Sequence, residues 1–223
     1  MRKFYNLVGK VATVSPMLTY SHYVELLSIK NINKIKYYIM ISEQQNLSVR
    51  ELRQRIKNNE YERLSKESKN KLITNQEAKV DDLIKNPIII KNPKDYKIIT
   101  EKVLQRLILE DIPSFLKELG SGFSFIENEY KIKIGDRYNY IDLFLYNIKF
   151  RCYIVIELKV TELKKEYIGQ IQTYMNYVDK NIKTIEDNAT IGIIIYKKDN
   201  KYIMEYCSDD KVLSKEYELK KYK

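Results

Sequence analysis

Residues 140–174 read YIDLFLYNIKFRCYIVIELKVTELKKEYIGQIQTY. Two apolar runs, YIDLFLY and YIVIELKV, are joined by a short NIKF turn, the pattern of two neighbouring strands. The second run is almost continuously apolar, which predicts a central strand buried on both faces. Both runs carry ionisable residues where a buried strand should have none: Asp142 in the first, Glu157 and Lys159 in the second. A carboxylate inside a core is costly unless a cation or a metal accompanies it. Glu157 and Lys159 are two apart, so they project to the same side of their strand. After Thr161, LKKEYIGQIQTYMNYVDKNI has the spacing of a helix. Gln170 and Tyr174 are four apart on it and share one face.

Working outward, the chain continues with ATIGIIIYKK and KYIMEYCS, two predicted last strands, and a charged tail, KEYELKKYK, as a frayed further strand. Upstream, TEKVLQRLILEDIPSFLKEL (100–119) is helical by spacing, with Pro113 marking a break and Gly120 a stop. GFSFI and EYKIKI read as two strands, and GDRYN as a hairpin turn. Helices, strands, a crossover helix and strands again make an α/β domain with a mixed sheet.

Residues 20–64 read as about three helices, the last opened by a capping box in which Glu51 follows Ser48 by three. On that helix Val49, Leu52 and Ile56 are expected inward, and Arg50, Arg53, Arg55 and Lys57 outward as a DNA-contacting face. The division expected is a basic helical region over 1–64, a linker over 65–99 and a catalytic domain over 100–223. Charge follows the same line. Residues 1–99 hold 19 Lys/Arg against 10 Asp/Glu, and residues 100–223 hold 21 against 20, within a net charge of +10. A basic half beside a nearly neutral one points to a polyanion partner.

Several classes are excluded. Cys152 and Cys207 form no CxxC pair, so neither a disulfide framework nor a zinc site is indicated, and both are expected as buried, reduced thiols of a cytoplasmic protein. No run of 18 apolar residues predicts a membrane span, and the first residues lack the features of a signal peptide. The single histidine, His22, is expected to cap or pack, which removes a His-rich zinc or iron site. Hard divalent cations want carboxylate and carbonyl oxygens. Asp142, Glu157 and the Leu158 main-chain carbonyl offer such a set for Mg²⁺ or Mn²⁺. The residues alone leave a second reading open, in which Asp142 and Glu157 pair with Lys159 or Arg151 as a buried ion cluster.

An Asp in one strand, Glu-x-Lys in the next and Gln-xxx-Tyr on the following helix resemble the PD-(D/E)XK nuclease superfamily, its RecB-like branch in particular. SHYVELLSI, LSVRELRQRI, FLKELGSGFSFI, YIDLFLYN, RCYIVIELK, GQIQTYMNYVD and IGIIIYKKDN make the chain similar to the bacterial YhcG-type PDDEXK nucleases. The resemblance implies a restriction-endonuclease-like core, a mixed sheet flanked by helices and preceded by a small helical region. It implies a Mg²⁺-dependent hydrolase cutting DNA, with Asp142, Glu157, Lys159, Gln170 and Tyr174 catalytic, or else a nuclease fold kept as an inactive binding module. It implies more helical sequence upstream in the family, hence a short form here, with homo-oligomerisation an open option. It also implies a metal-site glutamate on the first core helix. That place falls near Gln105, between Glu101 and Glu110, and Glu110 is the candidate.

Overall fold

The computed structural model, described over residues 17–74, 76–197 and 209–221, places helices before Leu83 and a six-stranded sheet after Ile84. The first unit contains α1 (Tyr20–Leu26), α2 (Ile32–Gln44), α3 (Val49–Lys57), α4 (Lys66–Thr74) and α5 (Val80–Leu83). Ser48 and Glu51 close the capping box: the Glu51 N–H donates to Ser48 Oγ at 3.3 Å, and the Ser48 N–H donates to Glu51 Oε2 at 3.1 Å. His22 caps and packs. Its Nδ1 lies 2.8 Å from Thr19 Oγ1 at the start of α1, and its Nε2 lies 2.9 Å from the Leu47 carbonyl. Tyr23, Leu26, Ile35, Tyr38, Ile41, Leu52, Tyr61 and Leu64 form this unit's core. Each such side chain contributes about 1.5–3 kcal/mol by leaving water.

The outward basic face of α3 is smaller than the sequence predicts. Arg55 is buried, because it lies three residues after the core residue Leu52 and so on the same side of the helix. Its guanidinium meets Glu60 Oε1 at 3.1 Å and Gln45 Oε1 at 2.6 Å. The Arg53 fork is held by Glu25 of α1, at 3.1 and 2.7 Å. Arg50, Arg53 and Lys57 are exposed.

The second unit contains β1 (Ile88–Lys91), α6 (Glu101–Glu110), α7 (Ile112–Leu119), β2 (Phe123–Ile134), β3 (Arg137–Asn147), β4 (Cys152–Leu158), α8 (Lys165–Asn181), β5 (Asn188–Tyr196) and β6 (Val212–Lys220). The sheet order is β1-β6-β5-β4-β3-β2. β2, β3 and β4 pair antiparallel; β4, β5, β6 and β1 pair parallel. It is the mixed sheet flanked by helices that the sequence predicts. β4 lies between β3 and β5, and only Tyr153 of its seven residues escapes full burial. α8 crosses from β4 to β5 and packs there closely: a Cβ on Gly192 would stand 2.6 Å from Met175 Sδ and 2.9 Å from Ile171 Cδ1.

Three local expectations change. GFSFI and EYKIKI belong to one strand, β2, interrupted by a register shift between Phe125 and Glu127 rather than by a turn. Residues 65–99, expected as a linker, hold α4, α5 and β1, because Ile88–Lys91 finds a parallel partner in Tyr217–Lys220. Residues 215–220 of the charged tail are not frayed: β6 is paired on both sides, to β5 and β1. KYIMEYCS (201–208) and Cys207 lie outside the described residues. Elsewhere the local chemistry holds. Pro113 sits in the first turn of α7, where its missing N–H has no partner to lose. Gly135, with φ of +59°, and Asp136 make the two-residue link of the β2–β3 hairpin, where Ile134 pairs with Arg137.

Candidate active site

β3 and β4 run side by side, and a side chain bridges them at the site. The Leu158 N–H donates to Asp142 Oδ2 at 2.8 Å. From below, the Gln105 Nε2 amide of α6 donates to the Asp142 carbonyl at 3.1 Å. Asp142 is thus fixed both through its side chain and through its backbone. Glu157 stands one residue before Leu158 and is 2% exposed. Its Oε2 lies 3.3 Å from Lys159 Nζ, while its Oε1 is buried with no hydrogen-bond partner. Lys159, just past the end of β4, is kept in line by its N–H, which donates to the Ile195 carbonyl at 2.8 Å. Its ammonium is 3.7 Å from Glu101 Oε1 of α6 and 5.1 Å from the centre of the Tyr167 ring.

The electrostatics follow from this crowding. Burial first, then the charge of Asp142, pushes the Glu157 carboxyl up to about 8, against the pull of Lys159. Burial also raises Asp142, partly offset by the Leu158 N–H and by Lys159. Burial would lower Lys159, but Glu157, Glu101 and Asp142 outweigh it and hold the ammonium above its ordinary value. Tyr174 on α8 is 6% exposed, and its hydroxyl accepts from Gln170 Nε2 at 3.0 Å. Burial raises Tyr174, and among the smaller causes are Glu157 and Asp142, so the phenol stands within electrostatic reach of the pair.

The structure brings together Asp142, Glu157 and Lys159, while Tyr174 is bonded to Gln170 on α8. It leaves Glu110 out. That side chain pairs with Lys94 at 3.3 Å on an exposed surface. The glutamate of α6 that reaches the site is Glu101. Gln105 faces Asp142, Glu101 is one turn earlier on the same face, and Glu110, five residues later, is turned well away.

Two family models divide the chain between them. The YhcG PDDEXK nuclease domain matches residues 81–223, well over half of the sequence, and the DUF1016 N-terminal domain matches residues 1–63. The chain belongs to the YhcG PDDEXK nuclease domain family. Within this family's curated proteins it is similar to the Escherichia coli (strain K12) protein named "Putative nuclease YhcG", at 25% identity over 181 residues. That match covers 78% of this chain and 48% of the E. coli protein, so the chain spans about half the length of its relative. Among solved structures, the chain is similar to a repair endonuclease from Pyrococcus abyssi, at 18% identity and a TM-score of 0.38, over 57% of this chain and 49% of that one. It is similar to a complex of EndoMS with double-stranded DNA at 17% identity and a TM-score of 0.36, over 57% and 48%. Among the described residues no helix is long and apolar enough to cross a membrane.

Asp142 and Glu157 are oxygen donors of the kind a hard divalent cation takes. Glu157 Oε1 is a buried carboxylate oxygen with no hydrogen bond, beside a second carboxylate. Among the described residues no three His, Cys, Asp or Glu side chains converge into a cage. A cation bound by two carboxylates, a carbonyl and oxygens of water and substrate is the arrangement Mg²⁺ favours.

Proposed function

We propose that this chain hydrolyses phosphodiester bonds of DNA and requires Mg²⁺ or Mn²⁺ to do so. One observation carries the reading: the unpartnered, buried Oε1 of Glu157 next to Asp142. A buried carboxylate oxygen without a hydrogen bond is costly to leave so, and a bound cation would satisfy it. Asp142, Glu157 and the Leu158 carbonyl would hold the ion. When bound, it would polarise a phosphate oxygen and lower the pKa of a water.

The rest is the work of the chain's own residues. Lys159, its ammonium beside Glu157 and Glu101, serves as a cation that stabilises charge on the phosphate. Glu101 and Glu157 hold that ammonium from two sides. The Leu158 N–H fixes the Asp142 carboxylate, and Gln105 fixes the strand beneath it. Gln170 aims the Tyr174 hydroxyl, and the pair orients the scissile phosphate against the carboxylates. Exposed Arg50, Arg53 and Lys57 serve as backbone contacts without base reading; buried Arg55 is not among them.

Calorimetry with Mn²⁺ tests the site, and a panel of labelled DNA and RNA strands tests the substrate. The wild-type chain should bind Mn²⁺ and cleave DNA, and Glu157→Ala should do neither. Equal Mn²⁺ binding by wild type and Glu157→Ala would mean that Glu157 and Lys159 are only a buried ion pair.

A further inference from the structure

The β2–β3 hairpin carries a strip of side chains for which the chemistry above has no use. Across the ladder Lys131 pairs with Tyr140, and Lys133 pairs with Tyr138. Tyr138 is 56% exposed and Tyr140 51%, and both lysines are exposed with them. Lys131 Nζ lies 3.8 Å from the centre of the Tyr138 ring, and Lys133 Nζ lies 5.9 Å from it. Cations and aromatic rings therefore alternate on one exposed surface, while neighbouring Ile132 and Ile141 are buried. The strip leads into the site: Tyr140 is two residues before Asp142 on the same strand, about 7 Å away along it. Arg137 adds a further exposed cation at the hairpin tip, where Asp136 is the acidic neighbour.

We propose that Lys131, Lys133, Tyr138 and Tyr140 bind an unpaired stretch of the DNA strand that enters the Asp142 site. Phosphates sit on the lysines and bases stack on the phenol rings, the combination that holds single strands without reading their sequence. The two parts of the strip select the polymer together. An acidic peptide would use the lysines and leave the rings idle. A duplex would offer its phosphates but keep its base faces stacked inside. Only an unpaired strand presents both. The identity of the polymer rests on the nuclease reading above; the strip itself stands on the hairpin.

Fluorescence anisotropy with a labelled single strand and with the matching duplex, both in EDTA, reads binding without cleavage. In the Tyr138→Ala, Tyr140→Ala pair the single-strand Kd should rise about tenfold or more, the effect of losing stacked bases. The duplex Kd should stay unchanged. The Tyr138→Phe, Tyr140→Phe pair should bind the single strand as wild type does. In the Lys131→Ala, Lys133→Ala pair the dependence of log Kd on log salt should fall by about 1.4, at 0.7 for each lost single-strand phosphate contact. Thermal melting confirms that each variant is folded. A wild type that ignores the single strand, a tyrosine pair that binds it undiminished, or equal weakening of single strand and duplex overturns the proposal. A chain that binds through the strip yet cleaves nothing with Mg²⁺ would instead overturn the catalytic reading alone.

Discussion

A carboxyl group buried like that of Glu157, beside Asp142, keeps its proton more tightly in the folded chain than in the unfolded one. Its folded value of about 8 lies above the ordinary 4.5. The sign is that of a raised acid: in metal-free protein the stability is fully present below about pH 4.5 and is lost as pH rises toward 8. The slope from this group approaches ~1.4 kcal/mol per pH unit inside that window. Melting curves from pH 5 to 8 in EDTA should fall for wild type and flatten for Glu157→Gln, whose amide has no proton to lose. Excess Mn²⁺ at pH 8 should restore wild type only. The two glutamates of α6 separate in the same way. Glu101→Ala, which removes a partner of Lys159 at 3.7 Å, should slow DNA cleavage about tenfold or more, whereas Glu110→Ala, which frees only an exposed Lys94, should leave the rate within about twofold. Asp142, Glu157 and Lys159 were legible because a charge inside an apolar run is conspicuous. Glu101 was not, because one acid on an amphipathic helix resembles another until something fixes which face turns inward. Arg55 misled for the same reason: an arginine on a basic helix reads as solvated, and only Glu60 and Gln45 show that it is buried.

At the scale of elements, α8 must lie flat on β5 for Gln170 and Tyr174 to stand beside the strand ends. Gly192 permits that approach. In Gly192→Ala the new methyl would press on Met175 Sδ at 2.6 Å and on Ile171 Cδ1 and Cγ1 at 2.9 Å. The expected cost is about 1–3 kcal/mol, read as a lower melting temperature, together with a slower cleavage rate as Tyr174 shifts. Gly192→Val should do worse on both counts. β3, β4 and the helix after them could be read from the residue pattern, because each buries an apolar run; β2, with only Phe123 and Ile132 buried, reads as two strands. β1 could not, and β6 only as a frayed strand from Lys215. Val212–Lys220 alternates weakly, and it becomes a full strand by standing between β5 and β1. Ile88–Lys91 is too short to declare a partner more than a hundred residues away. Parallel pairing over that distance leaves no local signal.

For the whole molecule, the sequence placed the positive charge in the first half, and the structure qualifies what that charge does. Much of the arginine on α3 serves the helical unit itself. Arg55→Ala should remove a charge partner of buried Glu60 and lower the stability of that unit by about 3 kcal/mol, measured by denaturant melting, while Arg50→Ala should cost less than about 0.5 kcal/mol. The catalytic proposal therefore depends on the sheet unit and its own residues. Its most direct test is a cleavage time course on labelled DNA with Mg²⁺ and with EDTA, comparing wild type with Asp142→Ala. The account predicts cleavage by wild type in Mg²⁺ alone and a rate lower by about 100-fold or more in Asp142→Ala. Equal cleavage by the two proteins, or undiminished cleavage in EDTA, would contradict it.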